Sequence, residues 1–384
     1  MNIGFIGFGK LGNPCGHAIF EKGHTVFFYD PNPNIEHRHE ITRLDSIEEL
    51  CMGKDIVFVA VPTPHDPEYD GKAPTNHLPP KDFSYDTVKE VIKEANAHMN
   101  PEQLLVLIST VLPGTVRNHI APLADRPKFL YNPYLIAMGT VAWDMVNPEM
   151  IMIGTRDGAE NGDAKVLKSF YKTIMENDPR YVIGTWDECE CIKVFYNTFI
   201  SAKIGLVNMI QDVAERQGFI DADVVANALR DSTQRIMGPS YMKPGMGDGG
   251  ACHPRDNIAL RYMAEKLDLG YDLFASIMKA RDIQAENMAK TVLEYGERIH
   301  FTSDSYKPGV EYTEGSFSLL VQHYIKEHGG TIVDRYGLPH VIFRVHETDD
   351  IPEIPEGESG GIVFDPWRSY KNPDYAVVHY GKTR

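Results

Sequence analysis

The sequence predicts an α/β protein that begins with a mostly parallel, doubly wound sheet and ends with a smaller α/β region. Three observations favour this architecture. Short apolar runs alternate with helical stretches through about residue 185, which is typical of βαβ units. The stretch from Asp187 to Gly218 contains no proline, and it predicts one long central helix with Asp187 as its N-cap. Strand-like runs resume near Arg298, after further helical sequence.

The length of the chain sets the expected number of domains. A chain of 384 residues suits two or three domains of roughly 100–200 residues each. We place an N-terminal sheet domain at 1–186, a central helical domain at 187–296 and a C-terminal α/β domain at 297–384. Ligands of doubly wound sheets bind at the carboxyl ends of the strands, so residues at those ends are the first candidates for function.

Composition excludes several classes of partner. Lys and Arg number 38 against 54 Asp and Glu, which gives a net charge of -16 and argues against binding nucleic acid or an anionic membrane. No apolar run approaches the ~20 residues of a membrane span, and the N-terminus shows no signal-peptide pattern. The five cysteines are scattered, so we expect no disulfide framework and a cytoplasmic protein. No ligand spacing predicts a metal site.

The first βαβ unit carries a nucleotide-binding pattern. Gly7, Gly9 and Gly12 match G-x-G-x-x-G after the strand "NIGFIG", and Asp30 ends the next strand, "HTVFFYD". Gly7 permits a tight turn, Gly9 lets the backbone approach a pyrophosphate, and Gly12 lets helix and strand pack closely. Asp30 would accept hydrogen bonds from ribose hydroxyls and repel a 2′-phosphate. The unit predicts a Rossmann domain that binds NAD; the alternative is a glycine turn without a cofactor.

Two later strands of this domain end in hydroxyl side chains. Thr63 follows "DIVFVAVP" and Thr110 ends "LLVLIST", while "KFLYNP" and "EMIMIG" extend the sheet. Between them, 65–82 is a long Pro-rich loop, and loops of that length are more often functional than idle. The two threonines therefore belong with the candidate cofactor contacts.

Lys193 and Asn197 lie four residues apart on the predicted long helix and so share one face. The alternative for this pair is a partly exposed polar stripe. Further along, "GDGGACHPRD" places Cys252 in a glycine loop with Asp256 four residues on. A reactive thiolate needs a lowered pKa and access, which a glycine loop and a nearby lysine can provide. The alternative for Cys252 is a small residue in a turn.

These stretches together resemble the UDP-glucose/GDP-mannose 6-dehydrogenase family of nucleotide-sugar dehydrogenases. The resemblance rests on "GFIGFGKLG", "VAVPTP", "STVLPGT", "IKVFYN", "YMKPGMGDGGACHPRD" and "YKPGVEYTEGS", and it spans nearly the whole chain. It implies oxidation of a sugar primary alcohol to an acid, with two NAD reduced. It also implies two Rossmann-like domains, joined by a long helix that forms the interface of a homodimer.

The resemblance assigns catalytic roles residue by residue. Cys252 matches the nucleophile that forms a thiohemiacetal and then a thioester. Lys193 and Asn197 match the pair that stabilises the oxyanion. Asp256 matches the acid that helps position water and base, and Thr110 matches the threonine that binds a catalytic water.

Binding roles follow in the same way. The candidate cofactor contacts cluster at the glycine turn and the strand ends, with one on the cysteine loop: Gly7, Gly9, Lys10, Leu11, Gly12, Asp30, Thr63, Thr110 and Arg255. The candidate substrate contacts come from all three predicted domains: Tyr134, Lys193, Asn197, Tyr241, Gly249 and Lys307.

Three departures from the family pattern fall in the substrate region. Tyr134 stands where the family has a glutamate linked to thioester hydrolysis, Asp248 stands where an aromatic residue is common, and Glu314 replaces an arginine. A UDP-glucose-like substrate remains the expectation. One alternative is a two-electron alcohol or β-hydroxyacid dehydrogenase, although the latter enzymes lack the Cys252 loop. The other alternative is a catalytically weakened nucleotide-sugar-binding protein.

Overall fold

The computed structural model describes most of the chain as two compact units, Met1–Ala202 and Lys203–Arg384. The described residues are 1–64, 82–136, 140–238, 245–246, 261, 264–305, 307–309, 313, 315–334, 341–351 and 361–381. The boundary between the units falls within one long helix, and each unit contains its own sheet.

The first unit contains an eight-stranded sheet in the order β3-β2-β1-β4-β5-β6-β7-β8. All neighbouring strands run parallel except β6 and β7, which pair antiparallel at Tyr131 and Gly154. The strand order reverses between β1 and β4, which is where ligands of such sheets bind. The strands are β1 (Asn2–Ile6), β2 (Thr25–Tyr29), β3 (Thr42–Arg43), β4 (Ile56–Val59), β5 (Leu104–Leu107), β6 (Lys128–Tyr131), β7 (Met150–Thr155) and β8 (Arg180–Thr185).

Helices cover the sheet of the first unit and bury its central strands. Every residue of β4 and β5 is buried, as expected for continuous apolar strands packed on both faces. Phe8 stacks on Phe28 with ring centroids 4.1 Å apart, and full burial of each such ring is worth roughly 1.5–3 kcal/mol. The helices are α1 (Gly12–Glu21), α2 (Ile47–Cys51), α3 (Asp86–His98), α4 (Val141–Val146) and α5 (Gly162–Ile174), with a π-helical turn at Val116–Ile120 and a 3-10 turn at Ala121–Leu123.

The predicted long helix is α6, Trp186–Gln217. Thr185 and Glu188 form a capping box at its start, because the Thr185 N–H donates to Glu188 Oε2 at 2.8 Å and the Glu188 N–H donates to Thr185 Oγ1 at 3.2 Å. Asp187, predicted as the N-cap, lies instead in the first turn. The helix ends before Gly218, whose φ of 73° is the left-handed conformation typical of a residue just past a helix.

The second unit contains a smaller parallel sheet in the order β10-β9-β11-β12-β13. Its strands are β9 (Arg298–Phe301), β10 (Thr331–Ile332), β11 (Val341–Phe343), β12 (Ile362–Asp365) and β13 (Ala376–His379). It includes the helices α7 (Ala222–Arg230), α8 (Leu273–Leu293) and α9 (Phe317–Glu327). Apolar residues of α8 and α9 share one buried core with β9, β11 and β12. The strand-like runs predicted to resume near Arg298 begin with β9 at that residue.

Candidate active site

The glycine turn between β1 and α1 has the geometry of a pyrophosphate cradle. Gly7 has φ of 89°, and a Cβ on it would lie 2.8 Å from the Ala60 carbonyl oxygen. A Cβ on Gly12 would lie 2.2 Å from the Gly7 carbonyl oxygen, whereas a Cβ on Gly9 would meet no atom within 4 Å. Gly7 and Gly12 are therefore required by the fold, while Gly9 leaves the approach to the backbone open. Lys10 is exposed and Leu11 half-buried beside them.

Asp30 ends β2 and ties the glycine turn to the loop that follows. Its Oδ2 accepts a hydrogen bond from the Phe8 N–H at 2.8 Å, and its Oδ1 accepts from the Asn32 N–H at 2.9 Å. Each carboxylate oxygen retains a further acceptor site for a ribose hydroxyl. Arg43 donates to the carbonyl oxygens of Asp30 at 2.8 Å and of Pro33 at 2.9 Å. The sequence analysis did not identify Arg43, since only tertiary contacts reveal that it shapes this loop.

The carboxyl ends of β4 and β5 lie side by side, because the two strands are parallel neighbours. Thr63 Oγ1 donates to the Thr110 carbonyl oxygen at 2.7 Å. The neighbouring Ser109 Oγ donates to the Val61 carbonyl oxygen at 2.6 Å. Both threonines are half-buried, so hydroxyl and backbone groups of two strands form one edge of the site.

Lys193 and Asn197 lie one turn apart on α6. Lys193 Nζ is 2.6 Å from the Tyr134 carbonyl oxygen, to which it donates. Burial lowers the pKa of Lys193 because a low-dielectric environment disfavours the ammonium. Asn197 is exposed. The structure thus provides a half-buried cation of fixed position next to a side-chain amide.

The Tyr134 hydroxyl is engaged in the core, and it is the backbone carbonyl of this residue that contacts Lys193. The hydroxyl lies 3.0 Å from the Tyr171 hydroxyl, and Tyr171 in turn donates to Asn132 Oδ1. Burial raises the pKa of Tyr134 well above its ordinary value, so it does not act as a base near neutral pH. A substrate contact by the Tyr134 side chain stays a prediction.

A buried carboxylate close to Lys193 was missed by the sequence analysis. Glu190 is 0% exposed, and its two oxygens accept from the N–H groups of Gly114 at 2.6 Å and Val116 at 2.7 Å. The available signal was the motif "ECECIK", in which an acidic residue stands three positions before Lys193. Its partners lie more than seventy residues earlier in the chain, so no local pattern reveals them.

The predicted residues of the cysteine loop lie outside the described residues, namely Tyr241, Gly249, Cys252, Arg255 and Asp256, as do Asp248 and Glu314. Lys307 belongs to the second unit and is exposed, and its carbonyl oxygen accepts from Ser305 Oγ at 3.0 Å. The roles of these residues stay predictions.

The carboxyl ends of the second sheet carry a network of paired charges. Asp365 is 0% exposed and lies 3.5 Å from Arg344. It also accepts from the N–H groups of Ser369 and Tyr370, both at 2.8 Å. Nearby, His346 Nδ1 lies 3.0 Å from Asp349 Oδ1.

No three His, Cys, Asp or Glu side chains of the described part of the chain are placed to share a metal ion. None of its helices has the length and apolar character needed to cross a membrane.

Fold and site together define a dinucleotide-binding protein whose long helix carries a half-buried lysine. Two domain models of one family match the chain. Residues 187–282 match the central domain of the UDP-glucose/GDP-mannose dehydrogenase family, and residues 35–175 match its NAD binding domain. The chain belongs to this family, as the sequence resemblance predicted. It is an NAD-dependent oxidoreductase, and the glycine turn with Asp30 fits its cofactor.

Similar proteins share most of the chain. A UDP-glucose 6-dehydrogenase of Rickettsia typhi is 26% identical over 82% of this chain and 76% of its own length. A GDP-mannose 6-dehydrogenase of Pseudomonas aeruginosa is 25% identical over 81% of this chain and 75% of its own length. A crystal structure of a GDP-mannose dehydrogenase ternary complex from Pseudomonas aeruginosa has the same fold, with a TM-score of 0.81 at 19% identity over 98% and 99% of the two chains. The predicted fold class is confirmed.

Proposed function

We propose that this enzyme oxidises the C6 primary alcohol of a nucleotide sugar, UDP-glucose or a close relative, to the uronic acid. The strongest support is that the match to the family's central domain, 187–282, includes the four predicted catalytic residues of this region: Lys193, Asn197, Cys252 and Asp256. The curated relatives described above are named for UDP-glucose and GDP-mannose. Each alcohol consumes two NAD and one water.

NAD, when bound, supplies the hydride acceptor for both oxidations. The backbone at Gly7, Gly9 and Gly12, the adjoining Lys10 and Leu11, and the N-terminus of α1 would hold the pyrophosphate. Asp30 would hold the adenosine ribose. Thr63 and Thr110 would line the site beside the reacting end, and Arg255 would add a cation.

Residues of the chain carry the remaining steps. Lys193 and Asn197 stabilise the negative charge that develops on the substrate oxygen. The Cys252 thiolate attacks the aldehyde carbon, forming a C–S bond and a thiohemiacetal. That carbon would then lose a hydride, for which NAD would be the acceptor, and its hydroxyl would lose a proton, which leaves a thioester. Water positioned by Thr110 and Asp256 then displaces the thiol and releases the acid.

The substrate contacts are the predicted set. Tyr241, Gly249 and Lys307 would contact the nucleotide sugar, with Lys193, Asn197 and Tyr134 at the reacting end. Since the Tyr134 carbonyl accepts from Lys193, the backbone of this residue supports the oxyanion site whatever its side chain does.

The decisive experiment is NADH formation with a panel of UDP-, GDP-, ADP- and dTDP-sugars. Wild-type protein should form two NADH per sugar, and Cys252→Ala should not complete the second oxidation. Cys51→Ala is the control, because the Cys51 thiol is buried in α2 and its pKa is raised to about 12 by burial. One NADH per sugar from the intact enzyme would contradict the proposal.

A two-electron reaction is the second candidate, and Tyr134 favours it. The family glutamate linked to thioester hydrolysis is absent there, and the Tyr134 hydroxyl is buried against Tyr171. A released aldehyde with one NADH per substrate would support this candidate. Tight NAD binding without turnover on any sugar would instead indicate a binding protein.

We also propose a homodimer assembled through α6. Phe195 and Phe199 on this helix are 54% and 56% exposed. In the second unit, Leu206, Val207 and Met237 line an apolar groove of about 740 Å³. Exposed apolar surface of this extent is typical of an interface. Sedimentation should give twice the chain mass of 43.2 kDa, and a wild-type monomer would contradict the assembly.

The four described cysteines are free thiols, which suits the cytoplasmic location that we propose.

A further inference from the structure

Glu190 connects two elements that carry predicted catalytic residues. It lies in α6, three positions before Lys193, and its carboxylate is fully buried. Its Oε2 accepts from the Gly114 N–H at 2.6 Å, and its Oε1 accepts from the Val116 N–H at 2.7 Å. Both donors belong to the segment 111–116, which begins directly after Thr110.

The segment 111–116, here called the Thr110 loop, is anchored at separate points. Thr63 holds Thr110, the residue just before the loop: Thr63 Oγ1 donates to the Thr110 carbonyl oxygen at 2.7 Å. The Leu112 N–H reaches the Tyr85 hydroxyl at 3.3 Å. Glu190 holds its end. Of these anchors, the Glu190 carboxylate joins the loop directly to the helix that carries Lys193.

A carboxylate suits this position for a chemical reason. The two N–H donors reach different oxygens of one side chain, and only an ionised Asp or Glu offers an acceptor at both of its terminal atoms. The cost is desolvation, since burial raises the pKa of Glu190 to about 7 against the opposing effect of the two N–H donors. Burial of an acid costs free energy, and this acid lies on the helix that carries the predicted catalytic residue Lys193. We infer that the position of the Thr110 loop relative to this helix must be fixed.

We propose that Glu190 is a positioning residue, whose buried carboxylate fixes the Thr110 loop to the helix that carries Lys193. It sets the spacing between the hydroxyl that binds the catalytic water and the cation that stabilises the oxyanion. The kinetic consequences rest on the proposed function, whereas the link between loop and helix does not.

Two variants on the same helix test this role. Glu190→Gln keeps the shape of the side chain but leaves one acceptor oxygen where the carboxylate has two. The matched control is Glu188→Gln, because Glu188 also accepts a backbone N–H, from Thr185 at 2.8 Å, but within the start of its own helix. Both variants remove one negative charge from the first turns of α6, so a difference between them reports the loop contact.

We expect Glu190→Gln to lower kcat about tenfold or more, because displacement of a catalytic group by 1 Å can cost about 100-fold in rate. The KM for NAD should change less than about threefold, since the glycine turn and Asp30 are untouched. Glu188→Gln should keep kcat within about threefold. Equal kcat values for the two variants would overturn the inference. If Glu190→Gln does not fold, Glu190→Asp is the second variant, because it keeps the charge but moves the oxygens back from the loop. A wild-type kcat in Glu190→Asp would also overturn the inference.

The pH profile separates positioning from mere stability. Groups that interact electrostatically with Glu190 are Arg117 on the π-helical turn, Tyr131 on β6, and Asp187, Cys189 and Cys191 on α6. Burial raises the pKa of Tyr131, Cys189 and Cys191, so these groups titrate above neutral pH. Protonation of Glu190 below about pH 7 removes one acceptor, so wild-type kcat should fall on the acid side towards that of Glu190→Gln. A Glu190→Gln profile with the same acid limb would overturn the inference.

Hydrogen exchange provides a readout that needs no turnover. In the full chain, peptides that cover 110–117 should exchange about tenfold faster in Glu190→Gln, because one buried N–H loses its acceptor. They should stay within about twofold of wild type in Glu188→Gln. Unchanged exchange in Glu190→Gln would overturn the link between loop and helix. A wild-type protein that makes no NADH from any nucleotide sugar would instead overturn the proposed function, while the exchange comparison still decides whether Glu190 holds the loop.

Discussion

The parallel strands of the two sheets end in different chemistry at their carboxyl ends. In the first unit, glycine backbone, the hydroxyl-bearing ends of β4 and β5, and the bridging carboxylate of Asp30 form the edge. In the second unit, the edge is filled by Arg344 and Asp365, which are 7% and 0% exposed and lie 3.5 Å apart. The two sheet edges therefore serve different purposes. The first edge keeps space and acceptor sites for a ligand, while the second uses its charges to hold its own loops.

The largest expected effect is on the second edge. Asp365→Asn removes the charge that compensates buried Arg344, and breaking such a pair typically costs about 3–5 kcal/mol in the free energy of unfolding. Urea unfolding followed by fluorescence should report the loss, because Trp367 adjoins this network: its backbone N–H donates to Asp365 Oδ1 at 3.1 Å. The control Asp374→Asn changes an exposed residue and should stay within about 0.5 kcal/mol. A loss of under 1 kcal/mol for Asp365→Asn would show that the second edge does not depend on its ion pair.

Glu190 sharpens the comparison, because it is a buried acid in the first unit that is held mainly by backbone N–H groups. Its pKa rises from 4.5 to about 7 in the folded protein. The folded state therefore binds a proton more tightly than the unfolded chain does, and stability from this group falls as pH rises from 4.5 to 7. At 1.36 kcal/mol per pH unit the total is about 3 kcal/mol. Denaturant titrations between pH 4.5 and 7 should show that the free energy of unfolding falls more steeply with pH in wild type than in Glu190→Gln. The same pH dependence in both proteins would contradict the raised pKa of Glu190.

The glycine turn gives a smaller effect that separates folding from binding. Gly12→Ala places a Cβ 2.2 Å from the Gly7 carbonyl oxygen, so we expect a loss of about 1–3 kcal/mol in stability from overpacking. Gly9→Ala meets no atom within 4 Å and should leave the melting temperature nearly unchanged while weakening NAD binding at least about tenfold. Calorimetry measures both quantities. If Gly9→Ala bound NAD with wild-type affinity, the cofactor would not bind at this glycine turn.

Local patterns predicted much of the fold and part of the site. The glycine spacing, the apolar strands and the proline-free helix each reflect neighbours in sequence, so the first sheet and α6 could be predicted. The roles of Glu190 and Arg43 could not, because they depend on partners brought together by the fold. The start of α6 was placed at Asp187 because an acidic residue preceded the helical pattern, whereas Thr185 and Glu188 satisfy each other's N–H groups. The orientation of the Tyr134 hydroxyl likewise depends on Tyr171, 37 residues later.

The central claim is a four-electron oxidation of a nucleotide sugar. The measurement that tests it most directly is the ratio of NADH formed to sugar consumed, with the product identified by mass spectrometry. We expect two NADH and a uronic acid from the wild-type enzyme, and no uronic acid from Cys252→Ala. One NADH with a free aldehyde, or full oxidation by Cys252→Ala, would contradict it.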